Sequence, residues 1–126
     1  MAQDDYFVIV YKILEYLYQC MKSGKRPMAE DIAPNGQMFC IPETYWSQIM
    51  EELIDQGYVK GIVKVPGLHV TGVKINPEAA ITMKGVEFLQ SNSKVEEAKH
   101  AAGNAFQQLL TGMIAQLPAV ATMVGM

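Results

Sequence analysis

A chain of 126 residues, half of them hydrophobic, is the size of one domain and holds enough apolar material for a core. Its net charge of −3 and pI of about 5.3 give no support to an overall basic nucleic-acid-binding surface, so only a local patch could serve that purpose. Cys20 and Cys40 are far apart, with no Cys or His at ligand spacing; they offer no zinc site and read as small hydrophobes with reduced thiols.

The start, MAQDDYF, has acids where a secretion signal needs a basic flank, which predicts a cytoplasmic protein. Residues 5–22 read as a helix, because Phe7, Val10, Ile13, Leu14, Leu17 and Met21 recur at spacings of three and four. Ser23-Gly24 ends it, a short helical piece is expected from Ala29 to Ile32, and Pro34-Asn35-Gly36 breaks the chain again. A third helix follows Pro42. Trp46, Ile49, Met50, Leu53 and Ile54 form its apolar stripe, and Gly57 suits a left-handed C-terminal cap. The stripe predicts burial of Trp46, Ile49, Met50 and Leu53 against Leu14 and Leu17. The opposite face carries Thr44, Ser47, Gln48, Glu51, Glu52 and Asp55.

Residues 58–65 and about 70–76 are β-rich and bracket Pro66-Gly67, which reads as a hairpin ended by Asn76-Pro77. Thr82 can cap a helix covering the core with Val86, Phe88 and Leu89. Ser93 with Glu96 reads as a capping box opening a last helix to about Leu117, where Pro118 ends it. No residue from Ala101 to Met126 is charged, so a membrane span must be considered. Asn104, Gln107, Gln108 and Gln116 interrupt that segment, and its stripe of Phe106, Leu109, Leu110, Met113, Ile114 and Leu117 predicts an amphipathic helix instead. Such a stripe serves a dimer contact or packs across its own domain.

Three helices followed by a two-stranded hairpin make the winged-helix plan, a helix-turn-helix variant. The expected fold is therefore α+β: a winged-helix domain over residues 1–92, a C-terminal helix over 93–117 as a candidate dimerisation element, and a short apolar tail over 118–126.

Particular motifs narrow the resemblance. Gln56-Gly57-Tyr58-Val59-Lys60-Gly61, then Pro77-Glu78 ahead of Ile81-Thr82-Met83-Lys84-Gly85, then a trailing helix after Phe88-Leu89, resemble the YjcQ-like family of Gram-positive bacteria and their phages and prophages. The likeness spans roughly residues 5 to 117. It implies a winged helix and, by analogy of fold, a DNA-binding regulator; it implies no catalytic residue.

In that reading the third helix offers Thr44, Tyr45, Ser47 and Gln48 to the major groove, and Gln can read adenine. Phosphate contacts fall to Lys60, Lys64 and Lys74 of the hairpin, with Lys60 and Lys64 placed on one face by strand periodicity. Lys22, Lys25 and Arg26 form a second small basic cluster. Yet the third helix carries Glu43, Glu51, Glu52 and Asp55 and no cation, so the alternative is a protein-interaction module that binds no DNA. The sequence thus predicts no enzyme, no cofactor and no metal. Its partners are double-stranded DNA or a second protein, with a homodimer expected and no membrane. His69 and His100 are isolated and read as surface residues.

Overall fold

The computed structural model describes residues 2–67 and 72–116. Five helices and one hairpin follow in the order α1 (Tyr6–Ser23), α2 (Ala29–Ile32), α3 (Glu43–Asp55), β1 (Val59–Val65), β2 (Gly72–Ile81), α4 (Met83–Ser91) and α5 (Ser93–Gln116). The architecture is α+β in a winged-helix arrangement, with the hairpin as the wing and α5 added behind.

The core is organised around α1. It buries not one stripe but most of its circumference, including Val8, Ile9, Tyr11, Ile13, Leu14, Tyr16 and Leu17. A helix apolar on so many sides must be covered from more than one direction. α5 covers one side with Phe106, Leu110 and Met113, while Trp46, Ile49, Met50 and Leu53 of α3 join Leu14 and Leu17 in the same buried cluster. The indole of Trp46 donates to the Ile32 carbonyl at 2.8 Å, which fixes α3 against the end of α2.

α1 ends at Gly24, whose φ of 70° closes the helix, with the Lys25 N–H reaching the Cys20 carbonyl at 2.9 Å. α3 ends the same way: Tyr58 N–H donates to the Leu53 carbonyl at 3.0 Å across Gly57. Immediately beyond, the two motifs that carried the family resemblance meet. Thr82 Oγ1 accepts from Gly85 N–H at 3.1 Å, capping α4 as expected, and donates to the Gly57 carbonyl at 2.6 Å. Thr82 N–H donates to the Tyr58 carbonyl at 3.0 Å, and the Tyr58 and Phe88 rings stack with centroids 4.4 Å apart. A Cβ on Gly85 would overlap the Tyr58 carbonyl oxygen and come within 2.7 Å of Ile81 Cγ1. Gly-Tyr and Thr-x-x-Gly-x-x-Phe are therefore two halves of one joint, which sets the wing's exit and return.

Three details differ from the sequence expectations. β2 does not stop at Asn76-Pro77. Pairing runs from Val65↔Gly72 to Ile62↔Ile75, breaks, and resumes at Lys60↔Ala80 and Val59↔Ile81. Pro77 has no N–H for a ladder, but it interrupts the strand only locally because the partner strand continues. The cap of α5 is Asn92 rather than Ser93: its Oδ1 accepts from Lys94 and Val95 N–H at 2.9 and 3.1 Å. α5 is kinked at Gly103, with φ 69° and ψ −167°, so its two halves take different directions.

Candidate functional site

The surface to judge is the solvent side of α3 and the wing beside it. Thr44 and Gln48 are exposed, as a reading helix requires. Ser47 is not; it is 7% exposed and turned into the domain. Tyr45 is half-buried, and its hydroxyl donates to the Asp4 carbonyl at 2.9 Å, so its polar end is engaged within the chain. The rest of this side is acidic. Glu43, Glu52 and Asp55 are exposed and Glu51 is partly so, with no basic residue in α3.

The wing lysines do not form one patch. Val59 and Ile62, three positions apart, are both buried, so the in–out alternation of β1 slips at Gly61. Gly61 has φ +74°, and a Cβ there would stand 2.7 Å from the Ala79 Cα, so the close crossing of the β2 excursion needs a glycine. The slip puts Lys64 on the Ile62 side, facing α3, and Lys60 on the other side. Lys64 Nζ then lies 2.6 Å from Asp55 Oδ1. The hydrogen bond to Asp55, helped by the charges of Asp55, Glu51 and Glu52, holds its pKa above the ordinary lysine value. Lys74 pairs with Val63 and so shares the outer face with Lys60. The expectation that Lys60 and Lys64 share a face fails for this reason.

The second basic cluster is also dispersed. Lys25 Nζ donates to the Ile114 carbonyl at 2.6 Å near the end of α5, and Lys22 sits 4.5 Å over the Tyr18 ring. Arg26 remains exposed.

Among the residues named for dimerisation, Phe106, Leu110 and Met113 are 4%, 2% and 4% exposed within the single chain, while Leu109 and Ile114 are partly buried against the same core. Leu117 and His69 lie outside the described residues. Phe106, Leu110 and Met113 of the α5 stripe close this domain's own core, which leaves Leu109 and Ile114 as the partly exposed part of the stripe among the described residues. His100 is exposed and lies 3.3 Å from Glu96 on the same helix. Cys20 is buried and Cys40 exposed. Among the described residues, no cluster of His, Cys, Asp or Glu could hold a metal ion, and no helix is long and apolar enough to cross a membrane.

Two features escaped the sequence. Lys12 is only 7% exposed within the run FVIVYKILEYL; its ammonium donates to the Met38 carbonyl at 3.0 Å and to Gln3 Oε1 at 3.2 Å, and lies 5.6 Å from the Phe106 ring centre. Burial pulls its pKa down. Its position inside an apolar run was the signal. The second is a pocket of about 240 Å³ beside the α3–β1 joint, walled by Tyr6, Phe7, Tyr58 and Phe88, with Glu52 and Gln56 on its lining. No single motif marks it, because its walls come from α1, α3, the turn after it, and α4.

A helical core, a third helix delivering the chain into a two-stranded wing, and a capped return helix define a winged-helix protein. The chain belongs to the YjcQ family: the family model described as YjcQ protein matches residues 11–105. No curated protein and no solved structure matches the chain.

Proposed function

We propose that this chain is a winged-helix protein-interaction module, in which the acidic side of α3 receives a basic segment of a partner protein. The observation that supports it most is the Lys64–Asp55 pair at 2.6 Å. The one wing lysine turned toward α3 is paired with Asp55 of the chain itself, and Glu43, Glu51 and Glu52 form no salt bridge with a lysine or arginine among the described residues. A duplex docked on α3 would bring phosphates against those carboxylates, whereas phosphate binding draws on Lys and Arg. Fluorescence titration of a labelled random duplex at low salt tests this. The expected result is no saturable binding; salt-sensitive binding that disappears with Lys60→Ala and Lys74→Ala would overturn it.

Lys60 and Lys74 favour the second reading, a phage- or prophage-type DNA-binding regulator. Both are exposed on the outer face of the wing, and neither is paired with a carboxylate among the described residues. In that reading the wing supplies the affinity, Thr44 and Gln48 give what base contact there is, and the chain works as a homodimer. Affinity would be weak, and each lysine removed would lower the salt slope by roughly one unit. Both readings place the protein in the cytoplasm, where Cys20 and Cys40 stay reduced.

A further inference from the structure

We propose that the pocket beside the α3–β1 joint is the anchor point of the partner and takes a single arginine side chain from it. This rests on the reading of the chain as a protein-binding module and gives that reading a place and a chemistry. The pocket measures about 240 Å³, below the ~300–1,000 Å³ of cofactor and drug-sized sites, so a side chain suits it better than a free small molecule.

Its walls are aromatic and its lining carries one kind of charge. Tyr6 and Phe7 meet edge to face at 5.3 Å on the α1 side, and Tyr58 and Phe88 stack at 4.4 Å on the other. Tyr6 is 36% exposed although it is large and aromatic. Among the residues lining the pocket, Glu52 alone is charged, and it lies close enough to Tyr6 to help burial raise the Tyr6 pKa. Glu52 accepts from Gln56 Nε2 at 3.0 Å through one oxygen, Oε1. Oε2 takes no hydrogen bond from the protein among the described residues.

An aromatic slot with a carboxylate on its lining complements a long cation. The aliphatic stem packs on the rings, the guanidinium plane stacks against a ring face, and its N–H groups reach the carboxylate. Arginine is favoured over lysine because its planar head stacks flat on a ring while its fork of N–H groups meets the carboxylate, and because it is the more weakly hydrated cation. Glu51 on the same helix adds attraction for the flanking residues of a basic segment. Lys84 Nζ, 5.7 Å from the Tyr58 ring centre, shows that this ring already accommodates a cation and adds one repulsive neighbour.

The test is an amide-shift titration of the full chain by NMR with acetyl-Gly-Ser-Arg-Ser-Gly-amide and with the same peptide carrying citrulline or leucine in place of arginine. The arginine peptide should move the amides of Tyr6, Leu53, Tyr58 and Phe88 in a saturable way. Citrulline keeps the shape without the charge and should bind about fivefold more weakly, as should the arginine peptide to Glu52→Gln. Glu52 is exposed, so that variant leaves the core intact. Equal affinity for the leucine peptide, shifts confined to the Glu51 and Asp55 edge, or no saturable shift would each overturn the arginine anchor. None of these outcomes bears on the duplex titration, so the pocket and the protein-binding reading can fail separately.

Discussion

α1 and the wing both carry large apolar side chains, which end in opposite situations. In α1, YFVIVYKILEYL is enclosed by α3, the sheet, α4 and α5, and even Lys12 is drawn inside. In the wing, Val63 and Val65 stay 44% and 43% exposed, because they lie on the outer face of the hairpin, turned away from the side on which Ile62 is buried. Hydrophobic residues thus do different work in the two regions. In α1 they hold the domain together; on the wing they are surface available for contact, ordered by cross-strand pairing rather than by burial.

The largest expected effects lie in the enclosed region. Leu14→Ala or Leu53→Ala should lower unfolding stability by about 2–5 kcal/mol, read from urea denaturation. Losses below about half a kcal/mol would show that Leu14 and Leu53 do not share one buried core.

Next comes the joint between the regions. Gly85→Ala forces a methyl into the Tyr58 carbonyl and the Ile81 side chain, and it should cost ~1–3 kcal/mol by overpacking. Because Tyr58 and Phe88 stack across this joint, near-ultraviolet circular dichroism should change with it. An unchanged spectrum and midpoint would mean the joint is looser than drawn.

Alkaline pH separates the regions chemically. Burial pushes the Cys20 thiol up from 9.0 to about 11 and, together with neighbouring carboxylates, the Tyr11 hydroxyl from 10.0 to about 12. A folded-state pKa raised in this way gives stability that is complete below the unfolded value and lost as pH rises toward the folded one. The urea midpoint should therefore hold to about pH 9 and fall between about 9 and 11, with Cys20→Val removing the earliest part of the fall. A flat midpoint through that window would contradict the enclosure of Cys20.

The smallest effect belongs to the wing. Lys64→Ala removes an exposed ion pair, and the urea midpoint should not move measurably. A clear loss would show that the pair holds the wing to α3 and is not only a local compensation of charge.

Elements with strong periodicity and local caps could be read directly. α1, α2 and α3 lie within a residue or two of their expected bounds, and α4 opens at the expected Thr82 cap, since Gly24, Gly57 and Thr82 act locally. The candidate surface was less legible, because its properties depend on partners distant in sequence. The pleat slip at Gly61 is set by the approach of Ala79. The burial of Ser47 and the engagement of Tyr45 with Asp4 follow from how α3 is seated, not from its own spacing. The inward turn of α5 did have a sign in the sequence. Val8, Ile9, Tyr11 and Tyr16 widen the apolar surface of α1 beyond one stripe and require a second cover.

That second cover comes late. Gln107 Nε2 donates to the Tyr11 hydroxyl at 2.7 Å across 96 positions, and Lys25 reaches the Ile114 carbonyl across 89. During synthesis α1 leaves the ribosome well before α5 exists, and the wall that α5 will cover stays wet until then. The rate of folding must therefore include a long loop closure that no local helix formation can shorten. A growing chain of this protein presents an open apolar helix to its surroundings until α5 arrives.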